Sequence, residues 1–156
     1  MKEVIYLVGQ ISPIFPETYK WREEVKKYFE DYPKFDIINP CGNAWNQNLL
    51  NNKSYPVNGF LKMGGVDIIV PKDKSFVSRS TIVIANMNQY DPDKPLIGSF
   101  FELAWCIDSP DKTVIGYADD MGHYFCQHPF VKASITTWAK NHLQACELII
   151  KFFEGD

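Results

Sequence analysis

The sequence lacks the signatures of several common catalytic and binding classes, and each absence removes a reading. No G-x-x-x-x-G-K-[ST] loop occurs and no G-x-G-x-x-G follows the first strand-like run, so the usual phosphate cradles for nucleoside triphosphates and dinucleotides are missing. No G-x-S-x-G supplies a serine nucleophile elbow. Histidine is scarce: His123, His128 and His142 form no H-x-x-x-H, and Cys41, Cys106, Cys126 and Cys146 form no C-x-x-C, so no metal-ligand set is expected. Basic runs are absent beyond Lys26-Lys27, and the net charge is −3. That balance argues against binding nucleic acid by neutralising phosphates, and against a polybasic membrane anchor. The apolar runs are far too short to span a bilayer. Repeats and low-complexity tracts are also missing.

What is present fits an ordinary globular chain. At 156 residues, with 46% hydrophobic and 22% charged side chains, it has the size and composition of one domain with a sizeable core. Aromatic residues, at 15%, are plentiful enough to build core, subunit contacts or stacking surfaces. Cys106 and Cys146 sit in apolar helical patterns and read as buried thiols. Met1-Lys2-Glu3 runs directly into a strand-like segment without the pattern of a leader. The expectation is a reduced, cytoplasmic protein.

Val4 to Val8 is a continuous apolar run ended by Gly9, the pattern of a buried parallel strand. Thr18, Trp21, Val25, Tyr28, Phe29 and Tyr32 then recur at helical spacing, with the charges from Arg22 to Lys27 between them. Phe35 to Asn39 reads as a second strand. Residues 41–65 are polar and Asn-rich, with Trp45, Tyr55 and Phe60 interspersed, and read as a long functional loop or lid. A short apolar stretch at 67–71 and a brief helix at 72–79 precede a third strand at 81–85. A helix at 99–107, a fourth strand at 112–117, a loop at 119–128 and a terminal helix from about 139 to 153 follow. Residues 130–138 either begin that helix or form a short extended piece. Alternating strands and helices give an α/β fold around a mainly parallel sheet.

Open sheets of this kind build their sites at the carboxyl ends of the strands. There the sequence offers carboxylates: Asp73 before the third strand, Asp91 and Asp93 in the loop after it, and Glu102 in the helix beyond. Glu102 is set among large apolar residues, expected in the first helical turn, and is a candidate nucleophile or acid/base. Ser99-x-x-Glu102 also matches a capping box, in which the Glu only reaches back to a helix-start N–H. Asp91 and Asp93 equally fit as turn formers, Asp73 as a helix cap, and Tyr6 as core.

Taken together these positions resemble the nucleoside 2-deoxyribosyltransferase family. Ile5-Tyr6-Leu7-Val8-Gly9-Gln10-Ile11-Ser12 is similar to the family's opening Tyr-Leu-Ala-Gly-Pro strand. Pro71-Lys72-Asp73 followed by Ser80-Thr81-Ile82-Val83-Ile84-Ala85-Asn86 resembles its segment of Asp, short helix and strand. Pro95-x-x-Gly98-Ser99-x-x-Glu102-Leu103-Ala104 is similar to its Gly-Thr-x-x-Glu signature, and Lys112-Thr113-Val114-Ile115 to its Lys-Pro-Val. The likeness spans most of the chain outside residues 41–65.

The resemblance implies a flavodoxin-like three-layer sandwich and a double displacement that needs no cofactor. By position, Glu102 attacks the anomeric carbon of a 2′-deoxyribonucleoside, Tyr6 holds that carboxylate, and Asp73 handles the proton on the departing and arriving nucleobase. Gly9, Asn86, Asp91, Asp93, Gly98 and Ser99 then fall around the substrate. Trp45 is a candidate to stack on the base, and Asn43 or Gln47 to read its edge. Leu96 stands where many members have Asp, and Thr81 where Asp is common; Asp91 or Asp93 would take over the missing sugar or base contact. Partners are a small-molecule nucleoside and nucleobase. A homo-oligomer is implied too, since family sites are often completed by a neighbouring subunit, here through residues 119–130. Hydrolysis of a nucleoside or its 5′-monophosphate, with Ser99 and helix-start N–H groups taking the phosphate, is the alternative reaction. A non-catalytic nucleotide-binding protein is the alternative of another class, favoured by Leu96 and Thr81.

Overall fold

A computed structural model describes residues 1–53 and 66–155. Five strands, β1 (Glu3–Gly9), β2 (Phe35–Ile38), β3 (Ile82–Asn86), β4 (Thr113–Tyr117) and β5 (Thr137–Ala139), form one sheet in the order β2-β1-β3-β4-β5. Every neighbouring pair is parallel. The helices are α1 (Glu17–Tyr28), α2 (Ala44–Asn52), α3 (Ile69–Arg79), α4 (Ile97–Ile107), α5 (Tyr124–Gln127), α6 (Pro129–Ser134) and α7 (His142–Phe153), with a 3₁₀ turn at Val66–Ile68 before α3. Among the described residues no helix is long and apolar enough to cross a membrane.

The strand pleat explains the layers. Ile5, Leu7, Ile82 and Ile84 point to one face and pack with Trp21 and Val25 of α1 and Cys146 and Ile149 of α7. Tyr6, Val8, Val83 and Ala85 point to the other and pack with Val77 of α3, Leu103 and Cys106 of α4, and Val131 of α6. With both faces covered, the strands are continuously apolar instead of alternating, as the sequence indicates. This is a flavodoxin-like three-layer α/β sandwich.

Several boundaries differ from the sequence reading. Residues 44–52 are helical: Asn43 caps α2 by accepting from Asn46 N at 2.9 Å, so part of the expected loop is a helix opened by its own Asn. Tyr55 and Phe60, and the lid expected around them, lie outside the described residues. The apolar stretch at 67–71 is absorbed into the 3₁₀ turn and α3, which leaves Asp73 inside the helix instead of capping it. The expected loop at 119–128 holds α5, capped by His123, and residues 130–138 divide between α6 and β5. The terminal helix starts at His142, after Asn141 accepts from Gln144 N at 2.8 Å. Arg22, one of the charges interspersed in the α1 pattern, is fully buried.

Gly116 in β4 carries a packing requirement. A Cβ there would lie 2.8 Å from Cζ3 of Trp138 and 3.0 Å from Cδ1 of Ile135. Gly116→Ala is therefore expected to destabilise the fold by about 1–3 kcal/mol through overpacking, read from urea denaturation midpoints.

Candidate active site

The carboxyl end of β1 opens into a cavity of about 510 Å³ bounded by α1, α2, α3 and the start of α4. Glu102, Asp73, Gly9, Gly98, Ser99 and Trp45 all line it, so half of the sequence-derived set converges on one space. Tyr6 lies beneath. Its hydroxyl donates to Glu102 Oε1 at 2.5 Å, joining positions 96 apart in sequence. Glu102 Oε2 has no hydrogen-bond partner among the described residues.

This arrangement removes the capping reading of Glu102. α4 begins at Ile97 with Leu96 as its N-cap residue and no side-chain cap, so Ser99 and Glu102 lie inside the helix. No capping box forms there, and Glu102 sits in the second turn rather than the first. Its side chain goes to the Tyr6 phenol instead of a helix-start N–H.

Burial dominates the electrostatics. It pushes the Glu102 carboxyl up from 4.5 to about 8; the Tyr6 hydrogen bond opposes that shift and the charge of Asp73 adds to it. Tyr6 is likewise driven well above its ordinary value by burial and by the neighbouring carboxylate. Asp73 is raised by burial, against the pull of Lys72, whose Nζ lies 3.3 Å from Asp73 Oδ1. Two carboxyls with shifted equilibria thus line one cavity, with a shifted phenol directly beneath, the pattern of a functional site.

Other sequence-derived residues serve the scaffold. Asn86 donates to the Tyr90 hydroxyl at 3.0 Å and accepts from Asn88 N at 3.0 Å, which organises the turn after β3. Asp91 is buried and accepts from Ser12 Oγ at 3.2 Å and Asp93 N at 3.1 Å; Asp93 itself is exposed. Gln47 donates to the Cys41 carbonyl at 3.0 Å, and Asn43 to the Pro40 carbonyl at 2.9 Å. None of these five lines the cavity. Leu96 does, so its wall is apolar where an Asp is common in the resembling family. Thr81 lies at the far end of β3, where it donates to Glu3 Oε2 at 2.5 Å and accepts from Val4 N at 3.2 Å.

Sequence reasoning missed Gln10 and Arg22. The Gln10 amide makes four hydrogen bonds to the 90–94 backbone, donating to Asp91 O (3.1 Å) and Lys94 O (2.8 Å) and accepting from Tyr90 N (2.9 Å) and Asp91 N (2.8 Å). It thereby fixes the loop that delivers Pro95 and Leu96 to the start of α4. Arg22 lines the cavity from α1, together with Lys72 and Lys94. A Gln directly after Gly9 at a strand end is the available signal for the first. Arg22 stands four residues after Thr18 and three before Val25, on the buried face of the amphipathic α1, which is the available signal for the second.

No protein-family model matches the sequence, and no curated protein is significantly similar to it. Solved structures are similar in shape. The crystal structure of a conserved protein from Enterococcus faecalis V583 aligns with TM-score 0.63 at 12% identity, over 97% of this chain and 99% of that one. The Clostridium botulinum CMP N-glycosidase BcmB aligns with TM-score 0.55 at 12% identity, over 97% and 100%. At such identities the likeness establishes the fold. What the site does is a separate argument, made from its chemistry.

The raised Glu102 carboxyl carries a stability consequence. The folded state holds its proton up to about 8 while the unfolded chain releases it near 4.5, so stability falls as pH rises between those values. Glu102→Gln removes the ionising group and should flatten that decline, by up to about 1.4 kcal/mol per pH unit. Urea denaturation of both proteins at pH 5 and pH 8 reads the difference.

Proposed function

We propose that the protein cleaves the N-glycosidic bond of a 2′-deoxyribonucleoside through a glycosyl ester on Glu102 and passes the sugar to a second nucleobase. The observation that carries the reading is the Tyr6 hydroxyl on one oxygen of a buried, cavity-lining carboxylate, which leaves the other oxygen available to react. BcmB, a CMP N-glycosidase of the same fold, supports an enzyme acting on the sugar–base bond.

The chemistry follows from the parts. Glu102 Oε2 bonds to the anomeric carbon as the carbon–nitrogen bond breaks, and that electron pair leaves with the base. Asp73 gives the base a proton, which is why the productive form has Glu102 ionised and Asp73 protonated; burial favours the protonated Asp73. An incoming base then attacks the same carbon from the opposite side, the ester bond breaks, and its electrons return to Glu102, while Asp73 takes the proton released by the new base. Two inversions give retention, as in retaining glycosidases. Tyr6 steadies the carboxylate and disperses its charge, and Trp45, about two-fifths exposed, offers a flat face for a base at the α2 wall.

Hydrolysis is the second reading, and the cavity's cations favour it for a nucleoside 5′-monophosphate. Arg22, Lys72 and Lys94 line the same space as Gly98 and Ser99, a setting that tolerates an anionic substrate. Water then replaces the acceptor base.

One incubation separates the readings. Deoxyinosine with free adenine should yield deoxyadenosine and hypoxanthine; base release from deoxynucleosides or nucleotides without a new nucleoside would favour hydrolysis, and no turnover of either would favour a binding protein. Glu102→Ala should abolish turnover, and Asp73→Asn should lower kcat by roughly 10²–10⁴-fold. Full activity in Glu102→Ala would end the assignment.

The proposal includes a homo-oligomer. α4 is apolar on nearly every side, yet Phe101 is 59% exposed, and Phe130 of α6 is 76% exposed beside a second, apolar cavity of about 460 Å³ between α4 and α5–α6. A helix apolar all round is normally covered, and a second copy accounts for the cover without another partner. Light scattering should give a mass above the monomer, and Phe101→Glu with Phe130→Glu should reduce it to the monomer value.

A further inference from the structure

Arg22 is a buried cation without a counter-ion. It is fully inaccessible, and among the described residues no carboxylate oxygen lies within ion-pairing distance. Its guanidinium donates instead to backbone carbonyls: Nη2 to Gly9 O at 2.8 Å, and Nη1 to Gln10 O at 3.3 Å and to Thr18 O. Among the described residues Nε is buried with no hydrogen-bond partner, and the group stacks 4.7 Å from the Trp21 ring centroid. Carbonyl dipoles and a ring face offset only part of the cost of taking a full charge out of water. Arg22 also borders the cavity that holds Glu102 and Asp73.

We propose that Arg22 is a positioning residue whose clamped guanidinium is the fixed positive charge that balances Glu102 in its ionised, attacking form. The inference rests on the reading of Glu102 as nucleophile and adds what sustains that carboxylate in a buried place. Three carbonyls at the end of β1 and the start of α1 hold the charge still. It therefore acts on Glu102 without reorganising as the ester forms and breaks, which is the advantage of a preorganised dipole or ion over solvent. The groups facing Glu102 are Tyr6 from β1, Lys72 and Asp73 from α3, Cys41 after β2, Cys106 one turn along α4, and Arg22 from α1. Tyr6 supplies a hydrogen bond without a charge, and Lys72 is engaged by Asp73. Arg22 is the cation in that set with no acid of its own.

The test follows the Glu102 carboxyl directly, by ¹³C NMR of side-chain-labelled Glu with Glu102→Gln identifying the signal. In Arg22→Gln the Glu102 midpoint should rise by about one pH unit, a tenfold tighter hold on its proton. In Arg22→Lys, which keeps the charge, it should stay within about half of that shift. Turnover of Arg22→Gln at neutral pH should fall about tenfold in kcat with KM little changed, and recover as pH is raised. An unchanged midpoint in folded Arg22→Gln, or equal shifts in Gln and Lys variants, would overturn the proposal. Should Arg22→Gln not fold, adding Glu102→Gln removes both members of the balance and should restore folding; continued failure would overturn it. Because titration is read without substrate, the charge balance can hold even if deoxyribosyl transfer fails, and the two outcomes remain distinct.

Discussion

The hydrogen bond from Tyr6 to Glu102 is the constraint around which the rest is arranged. Tyr6 is the second-face neighbour of Ile5 and Leu7 on the strand between β2 and β3, so its ring is held by core on all sides. A phenol anchored in the sheet can fix a carboxylate on a covering helix only if that helix crosses at the right height. α4 meets the requirement through Leu103 and Cys106, which pack into the same layer as Tyr6 one turn from Glu102. Core packing and site geometry are here the same set of contacts. A shift of α4 that relieved one would break the other.

Charge sets the second constraint. The cavity encloses two carboxyls whose burial favours their protonated forms, opposed by Arg22 and Lys72. None of these groups is a surface ion screened by salt, so each feels the others through protein more than through water. The scaffold answers by supplying hydrogen bonds from β1: Tyr6 to the acid, Gly9 and Gln10 carbonyls to the base. One strand end therefore holds both signs of charge in place.

Much of this frame is legible in the residues. The runs at 4–8, 82–85 and 114–117 are apolar without interruption, the pattern of strands buried on both faces, and the parallel sheet follows. Glu102 was visible as a lone acid in an apolar helix. What escaped was the identity of things that depend on tertiary context. Ser99-x-x-Glu102 carries the spacing of a cap, but the helix starts earlier at Ile97, because Pro95 and Leu96 are set by the loop that Gln10 holds. Asn-rich 44–52 lacks a strong helical preference and is a helix through the Asn43 cap. Arg22 falls on the buried face of α1 between Thr18 and Val25, but its partners are carbonyls, which a side-chain pattern does not record. Asn86, Asp91 and Asp93 were expected around substrate from a family likeness; their side chains and backbone instead shape the turn after β3.

The walls of the cavity differ in how they are fastened. On the 90–94 side, Gln10 ties the loop to β1 through both ends of its amide, and Ser12 reaches Asp91 as well. On the α2 side, the hydrogen bonds of Asn43, Asn46, Gln47 and Asn52 all end within residues 40–52. One wall is tied to the sheet; among the described residues, these side chains of the other wall bond only to its own segment. Trp45 and Leu49, whose side chains take no part in those hydrogen bonds, can therefore change to suit a different guest without loosening the wall, and the breadth of what such a scaffold accepts is decided there.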